Sequence, residues 1–311
     1  MQYIYSNISR SQGVENKVSR QSSLLNISKN NIHRITYSNS IIFVIRSLLF
    51  RHSDRSYVRE GLFINVLILI SFNTNFIIEL NRPITSLKGR RSPIILRLRR
   101  FFLKILLKKA IKIVCISSEI FNSLENSYKV KAEVYENFFG FNTIITNPNK
   151  DVKKLFDLVI VADLDQPWQA RDLIESYLLS YPSRKLLHIG DGSLKANNAK
   201  SLGIVNDLAQ LHKEVSTAKI ALSQLGLKRI GFQEATPLKH VDYVTCRLPI
   251  ISGARDKLLY GYYPVHELKS ENVKELEKLI VSIENSPRDI DTTNLELRIK
   301  DYSERFVSFC K

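Results

Sequence analysis

At 311 residues the chain is long enough for two domains of ordinary size, and its 44% hydrophobic and 24% charged content excludes a disordered or fibrous class. No run approaches the roughly 20 apolar residues a membrane-spanning helix needs, and residues 1–13 lack the cationic-then-apolar order of a secretory leader, so a soluble or peripheral cytoplasmic protein is expected. The net charge of +16 is compatible with nucleic acid, with an anionic membrane surface, or with the lysine-rich bias of an AT-rich genome.

In chain order, residues 2–6 (QYIYS) read as a first strand, Ser11-Gln12-Gly13 as a turn, and 14–25 as a helix. Gly13 between a first strand and a first helix suits either backbone approach to a phosphate or an ordinary βα turn. Residues 32–37 suit a second strand, and 41–50 and 62–70 are further apolar runs. Residues 75–80 (NFIIEL) suit a buried parallel strand with Glu79 near its C-terminal end. Open α/β sheets place ligands at that end, which makes Glu79 a candidate acceptor contact or general base; a solvated loop acid is the plainer alternative.

Segment 88–112 holds Lys88, Arg90, Arg91, Arg97, Arg99, Arg100, Lys104, Lys108, Lys109 and Lys112 with no acid among them. Pro93 suits a helix start. Ile94, Ile95, Leu98, Phe102, Ile105 and Leu106 fall on one face, with Arg97, Arg100, Lys104 and Lys108 on another. Such a helix lies against anionic lipid, or packs on a core with a solvated basic face. Nucleic acid is disfavoured as a partner because no aromatic residues interleave with the cations.

Residues 111–118 read as a strand ending at Ser117-Ser118, followed by a helix with Ile120 and Leu124. Residues 147–151 (NPNKD) are the clearest compositional break, and the predicted domain boundary. Beyond it, 155–162 is an apolar run ending in Asp163-Leu164-Asp165. Two carboxylates in that triplet are compatible with a divalent ion, although such a triplet also arises by chance. Residues 185–189 suit a strand that ends in the turn Gly190-Asp191-Gly192, and 208–215 a helix. Cys115, Cys246 and Cys310 are too few and too far apart for a disulfide framework or a metal site, and the six histidines show no ligand spacing, so no metal is expected.

The most informative stretch is 219–252. Apolar runs at 220–222 and 248–252 suit strands. Between them lie a cation-rich loop with Lys228, Arg229 and Glu234, and a short segment with helical spacing at Leu238, Val241, Tyr243 and Val244. Thr236 is a good N-cap and Pro237 suits the first helical position. A βαβ unit with cations at a helix start is a place for a phosphate, and Glu234 and Asp242 can each hold sugar hydroxyls. Residues 273–283 and 295–309 are predicted helices.

These residues resemble the C-terminal domain of family 4-like glycosyltransferases with the two-domain GT-B fold. The family's acid, seven residues, then a second acid matches Glu234 to Asp242, with Asp where Glu is usual. The 225–229 segment (LGLKR), Pro237-Leu238-Lys239, Asp242-Tyr243 and Leu248-Pro249 resemble exopolysaccharide and capsule members. Gly13-Val14-Glu15-Asn16-Lys17 is similar to their first donor loop, and Tyr57-Val58-Arg59 to a "YIR" segment. Arg247 stands where the family usually has Gly. Residues 168–174 (WQARDLI) resemble "WHGYDRLI" with the His and Gly lost, so that only Arg171 remains of the cations expected there.

The resemblance implies an α/β chain of two Rossmann-like domains with parallel sheets facing across a cleft: an acceptor domain at 1–148, a nucleotide-sugar domain at 149–294, and a helix at 295–311 crossing back to the first. It implies Asp242 on the ribose, Glu234 on the transferred sugar, Arg229, Lys239 and Arg171 toward the diphosphate, and Leu238, Gly13 and Gly190 beside the donor. The implied reaction moves a sugar, with retention, to a glycan or lipid-linked acceptor in surface polysaccharide synthesis. No cofactor is called for, and no metal if cations neutralise the leaving group. For Lys239 and Asp242 the plainer readings are a solvated helix cation and its i,i+3 partner. Two other functions stay open, a sugar-nucleotide epimerase of the same fold and a catalytically silent subunit.

Overall fold

The computed structural model describes residues 2–6, 12–27, 32–35, 55–60, 75–81, 93–137, 152–286, 290 and 292–311. The runs at 41–50 and 62–70, the cations of 88–92 and the break at 147–151 lie outside the described residues. The chain forms two compact units, one of Met1–Gly140 with Asp301–Lys311 and one of Phe141–Lys300.

The first unit holds strands β1 (Gln2–Ser6), β2 (Ile32–Ile35), β3 (Ser56–Arg59), β4 (Phe76–Leu80), β5 (Lys112–Cys115) and β6 (Ala132–Val134) in one parallel sheet ordered β2-β1-β3-β4-β5-β6. Strand β4 (FIIEL) is buried along its whole length, its four apolar residues as a central parallel strand requires and Glu79 among them. Helix α1 (Gln12–Leu24) follows β1, and α2 (Pro93–Lys109) precedes β5. Short helices α3 (Ser118–Asn122) and α4 (Asn126–Lys129) lead to β6. Leu103, Leu106 and Leu107 of α2 pack on Phe76, Ile78 and Ile113.

Glu79 does not end in a solvated or ligand-facing position. Its side chain is wholly buried, and both oxygens are taken by protein donors. Lys17 Nζ (2.7 Å) binds Oε1, with Arg59 Nε at 3.4 Å, while Gln21 Nε2 (2.9 Å) and Tyr57 OH (2.9 Å) bind Oε2. Burial alone would raise this carboxyl's pKa; the charges of Lys17 and Arg59 and the hydrogen bonds overcome it and hold the group below its usual range. Glu79 therefore ties α1 to β3 and β4, a cross-link in place of the expected acceptor contact or base.

The second unit holds β7 (Phe156–Val161), β8 (Leu186–Ile189), β9 (Ala199–Ser201), β10 (Ala218–Ser223), β11 (Ile250–Ser252) and β12 (Val265–Glu267). All pair in parallel, in the order β12-β11-β10-β7-β8-β9. Helices α5 (Arg171–Ser180), α6 (Leu208–Val215) and α7 (Lys239–Thr245) lie between strands, and α8 (Val273–Glu284) follows β12. The edge strands β9 and β12 are three residues each and carry no hydrophobic run, so sequence periodicity misses them. Helix α9 (Thr293–Cys310) closes the chain, its residues from Asp301 grouping with the first unit, where Phe306 packs edge-on against Tyr57 and Tyr135.

Two non-glycine residues occupy left-handed backbone where the resembled family has Gly. Ala170 (φ 53°) joins a 3-10 turn at Pro167–Gln169 to α5. Arg247 (φ 52°) ends α7 with paired bonds, Leu248 N to Tyr243 O and Arg247 N to Val244 O, which is a Schellman turn without its usual glycine.

Two stability outcomes follow from this packing. Glu79→Ala leaves the Lys17 ammonium buried without its carboxylate and should cost about 3–5 kcal/mol, read as a fall in urea midpoint at unchanged slope. Arg247→Gly relieves left-handed strain and should raise stability by about 1 kcal/mol in the same titration.

Candidate functional site

Strand order in the second sheet reverses between β7 and β10, and open α/β sheets bind ligands outside the carboxyl ends of the strands at such a reversal. The Tyr243 hydroxyl of α7 stands between the two strands there. It accepts from Val161 N–H (2.9 Å) and donates to Leu222 C=O (3.0 Å), so the last rung between β7 and β10 runs through a side chain. The loops leaving these strands pack closely: Gly226 N–H donates to Trp168 O (2.9 Å), and a Cβ on Gly226 would stand 2.8 Å from Pro167 O.

Around the end of β8 the structure gathers several of the expected donor residues. Gly190 follows β8 at φ 139°, where a Cβ would lie 2.1 Å from Ala162 O, so only glycine fits. His188, wholly buried, donates from Nε2 to Ala162 O (2.9 Å) and accepts at Nδ1 from Ser201 Oγ (3.1 Å). Desolvation lowers its pKa, and the nearby charges of Lys239 and Arg171 act in the same direction. Those two cations therefore share its surroundings.

Lys239 opens α7 and donates to Gln169 Oε1 (3.0 Å). Among the described residues no carboxylate forms an ion pair with it, and burial pushes its pKa down to about 7. Arg171 opens α5 and is partly engaged, with Glu175 Oε1 at 3.0 Å and Asp165 Oδ1 at 3.5 Å. Asp163 caps its own turn by accepting from Asp165 N–H and Gln166 Nε2.

The two acids of the spaced pair lie on the segment that leads into α7 and on α7 itself. Glu234 forms an isolated backbone bridge with Arg255, and its Oε1 pairs with Lys257 Nζ at 2.5 Å. Its Oε2 is buried and has no hydrogen-bond partner among the described residues. Asp242 is 8% exposed, and its Oδ1 lies 3.0 Å from His212 Nε2 on α6.

Below this segment lies a buried chain of polar groups. His240 contacts Asp256 Oδ2 (2.7 Å) with Nδ1 and Ser223 Oγ (2.7 Å) with Nε2. Asp256 Oδ1 accepts from Thr236 Oγ1, Leu258 N–H and Leu259 N–H. The Ser-His-Asp order is that of a hydrolase triad, but all three residues are at most 1% exposed. The group acts as a joint that fixes the Glu234 loop and α7 to β10.

Three expectations change here. Thr236 does not cap the helix: Asp256 takes its hydroxyl, and α7 begins only at Lys239, with Leu238 at its N-cap position making no side-chain bond. Arg229 does not stand ready for a diphosphate. Its guanidinium holds both oxygens of Asp172 (2.6 and 2.9 Å) and bonds Glu271 Oε2. These bonds, the Asp172 pair first, raise its pKa. Gly13, which lies with Glu79 in the first unit, is inside the first turn of α1 rather than in a turn before it. Sequence reasoning missed His212, Lys257, Gln169 and the brace of Tyr243. Only Gln169 had a signal, since it occupies the lost His position of the Trp168 motif.

No protein-family model matches the chain, and no curated protein matches it by sequence. Solved structures do match. HepE of Anabaena, crystallised with UDP and glucose, is 12% identical with a TM-score of 0.69, covering 99% of this chain and 98% of that one. An α-glucosyltransferase solved with UDP and a mismatch-containing DNA is 10% identical with a TM-score of 0.65, covering 99% of each chain. A glycosyltransferase of Rickettsia africae is 14% identical with a TM-score of 0.59, covering 99% and 93%. With two parallel α/β sheets and these neighbours over nearly its whole length, the chain has the GT-B fold of glycosyltransferases.

Proposed function

We propose that the protein is a glycosyltransferase. It takes a hexose from a nucleotide-sugar donor and passes it, with retention, to a glycan or lipid-linked glycan in surface polysaccharide synthesis, at the cytoplasmic face of the membrane. One observation carries the donor reading. At the reversal between β7 and β10 a desolvated ammonium lacks a carboxylate partner among the described residues, and a buried carboxylate oxygen on the same segment lacks any hydrogen bond among them. Both conditions are costly in a folded protein that binds nothing there. A diphosphate satisfies Lys239, and a sugar hydroxyl satisfies Glu234 Oε2.

In this reading Lys239 and Arg171 meet the charge that develops on the leaving diphosphate, which is where electrostatic stabilisation contributes most to such a transfer. Gly190 and Leu238 contribute backbone beside it. Asp242 receives the ribose hydroxyls while His212 holds the other side of a carboxylate one methylene shorter than the family's usual Glu. Glu234 orients the sugar, its charge balanced by Lys257. Arg229 fastens its loop to α5 and takes no part in the chemistry.

A catalytically silent donor-binding subunit is the second reading, favoured by the engagement of Arg229 and Arg171 with carboxylates, which leaves Lys239 as the chief cation. Donor hydrolysis or transfer separates the two, because a silent subunit binds nucleotide without turnover.

UDP, the nucleotide held by the structural neighbours, is the first to test. At 100 times its dissociation constant it should add about 2.7 kcal/mol to stability, visible as a melting shift that GDP, TDP and CMP give more weakly. Asp242→Ala and Lys239→Met should remove the shift; a folded wild-type protein that no nucleotide shifts would overturn the donor reading. UDP affinity should also fall as pH rises from about 7 to about 9. Bound diphosphate raises the Lys239 pKa above its free value of about 7. The complex therefore holds more protons than the free protein in that window, and raising pH favours release. Calorimetry with Lys239→Arg, whose charge does not titrate in that window, should give a flat profile over the same range.

A further inference from the structure

Helix α2 presents its cations as one stripe. Arg97, Arg100, Lys104 and Lys108 are exposed at i, i+3, i+7 and i+11, while Leu103, Leu106 and Leu107 are buried on the opposite side. The structure corrects the expectation that no aromatic residue stands among these cations. Phe101 lies within that stripe, one turn from both Arg97 and Lys104 sides of it, and is 60% exposed. A solitary exposed phenylalanine needs no explanation, but one set among cations does.

A second apolar residue lies beside the C-terminal end of the helix. Val130, 87% exposed, sits between Lys129 and Lys131 in the turn before β6. Lys131 Nζ donates to the carbonyls of Lys108 (3.0 Å) and Ala110 (2.5 Å), which holds that turn against the helix end. The rise from Phe101 to the end of α2 is about 12 Å at 1.5 Å per residue. One acid tempers the surface: Glu125 pairs with Lys104 at 2.9 Å, both more than half exposed.

We infer that this face of the first unit is a membrane-docking surface, with the cations facing anionic phospholipid headgroups and with Phe101 and Val130 entering the headgroup–acyl boundary. A stripe of cations with an exposed phenylalanine beside it, and an exposed valine between two lysines, matches the two layers of an anionic leaflet, charge outside and hydrocarbon within. A duplex nucleic acid matches only the first layer and leaves Phe101 and Val130 in water. The inference deepens the proposed action at the cytoplasmic face of the membrane by naming the surface and the lipid class. It needs no glycosyl transfer for its test.

Vesicle co-sedimentation of the full chain tests it, with phosphatidylcholine alone and with phosphatidylcholine plus phosphatidylglycerol. The protein should pellet with the anionic vesicles and stay in solution with the neutral ones. Arg97→Gln with Arg100→Gln should weaken binding about 30-fold, at ~1 kcal/mol for each cation near the surface. Phe101→Ser, which leaves every charge in place, should weaken it roughly tenfold through lost apolar burial. A Phe101→Ser protein that pellets like wild type, or equal retention of both proteins on duplex DNA and anionic vesicles at matched salt, would show a mere polyanion surface and overturn the inference. The UDP melting shift should survive in all these variants. Failure of lipid binding with that shift intact counts against the docking face alone, and loss of the shift in wild type counts against the donor site alone.

Discussion

The proposed donor site depends on a phenol hydroxyl placed inside a β-ladder. Where β7 and β10 part, the N–H of Val161 and the C=O of Leu222 both reach Tyr243 OH. A buried backbone donor and acceptor left unpaired there would each cost on the order of 1–3 kcal/mol, so the hydroxyl fixes α7 against both strands at once. Lys239, His240 and Asp242 all lie within four residues of it on the same short helix. Their placement follows from this brace and from the joint that His240 makes with Asp256 and Ser223. A seven-residue helix has little stability of its own, and its position comes from these tertiary bonds.

The distribution of charge separates scaffold from site. Arg184 binds Glu277 and Glu284, Arg229 binds Asp172 and Glu271, and Lys228 binds Glu267, each pair fastening a loop or helix to its neighbour. Lys239 is the contrast. It is desolvated like a scaffold cation but has only a neutral amide, Gln169, beside it. An ammonium drawn partly out of water, with no carboxylate paired to it among the described residues, is less favoured as a cation than a solvated one, and an anion beside it would restore its charge.

Much of this was legible in the sequence, and what was not has physical reasons. Apolar runs within 155–162, 185–189 and 220–222 announce β7, β8 and β10 because both faces of a parallel sheet are buried, and Leu276, Leu279 and Ile280 announce α8 by their spacing. The spaced acids at 234 and 242 fall on the segment leading into α7 and on α7 itself. The partners were hidden, because pairing is a property of distance and the sequence lists only types. Arg229 looks as suitable for a phosphate as Lys239 until Asp172, 57 residues earlier, is seen against it. Thr236 looks like a helix cap until Asp256 is found to accept its hydroxyl. Glu79 stands at a strand end in both readings, and only the convergence of Lys17, Gln21 and Tyr57 on it decides that it is a cross-link.

Departures from the family pattern are the harder case, since a lost motif residue reads as lost function. Ala170 and Arg247 show that backbone geometry can outlast the residue that favours it. Each keeps the left-handed conformation at a cost of about 1–2 kcal/mol, and in each the surrounding bonds are retained. Arg247 still closes a complete Schellman turn, and Ala170 still turns the chain into α5 so that Gln169 meets Lys239. The carboxylate at 242 follows the same logic: a shorter side chain is kept in place by an imidazole from α6. What persists in this chain is a set of backbone positions and hydrogen-bonded joints around the strand reversal, carried by side chains that differ from the usual ones. Fold similarity over nearly the whole chain can therefore accompany sequence identity too low for any family model to register.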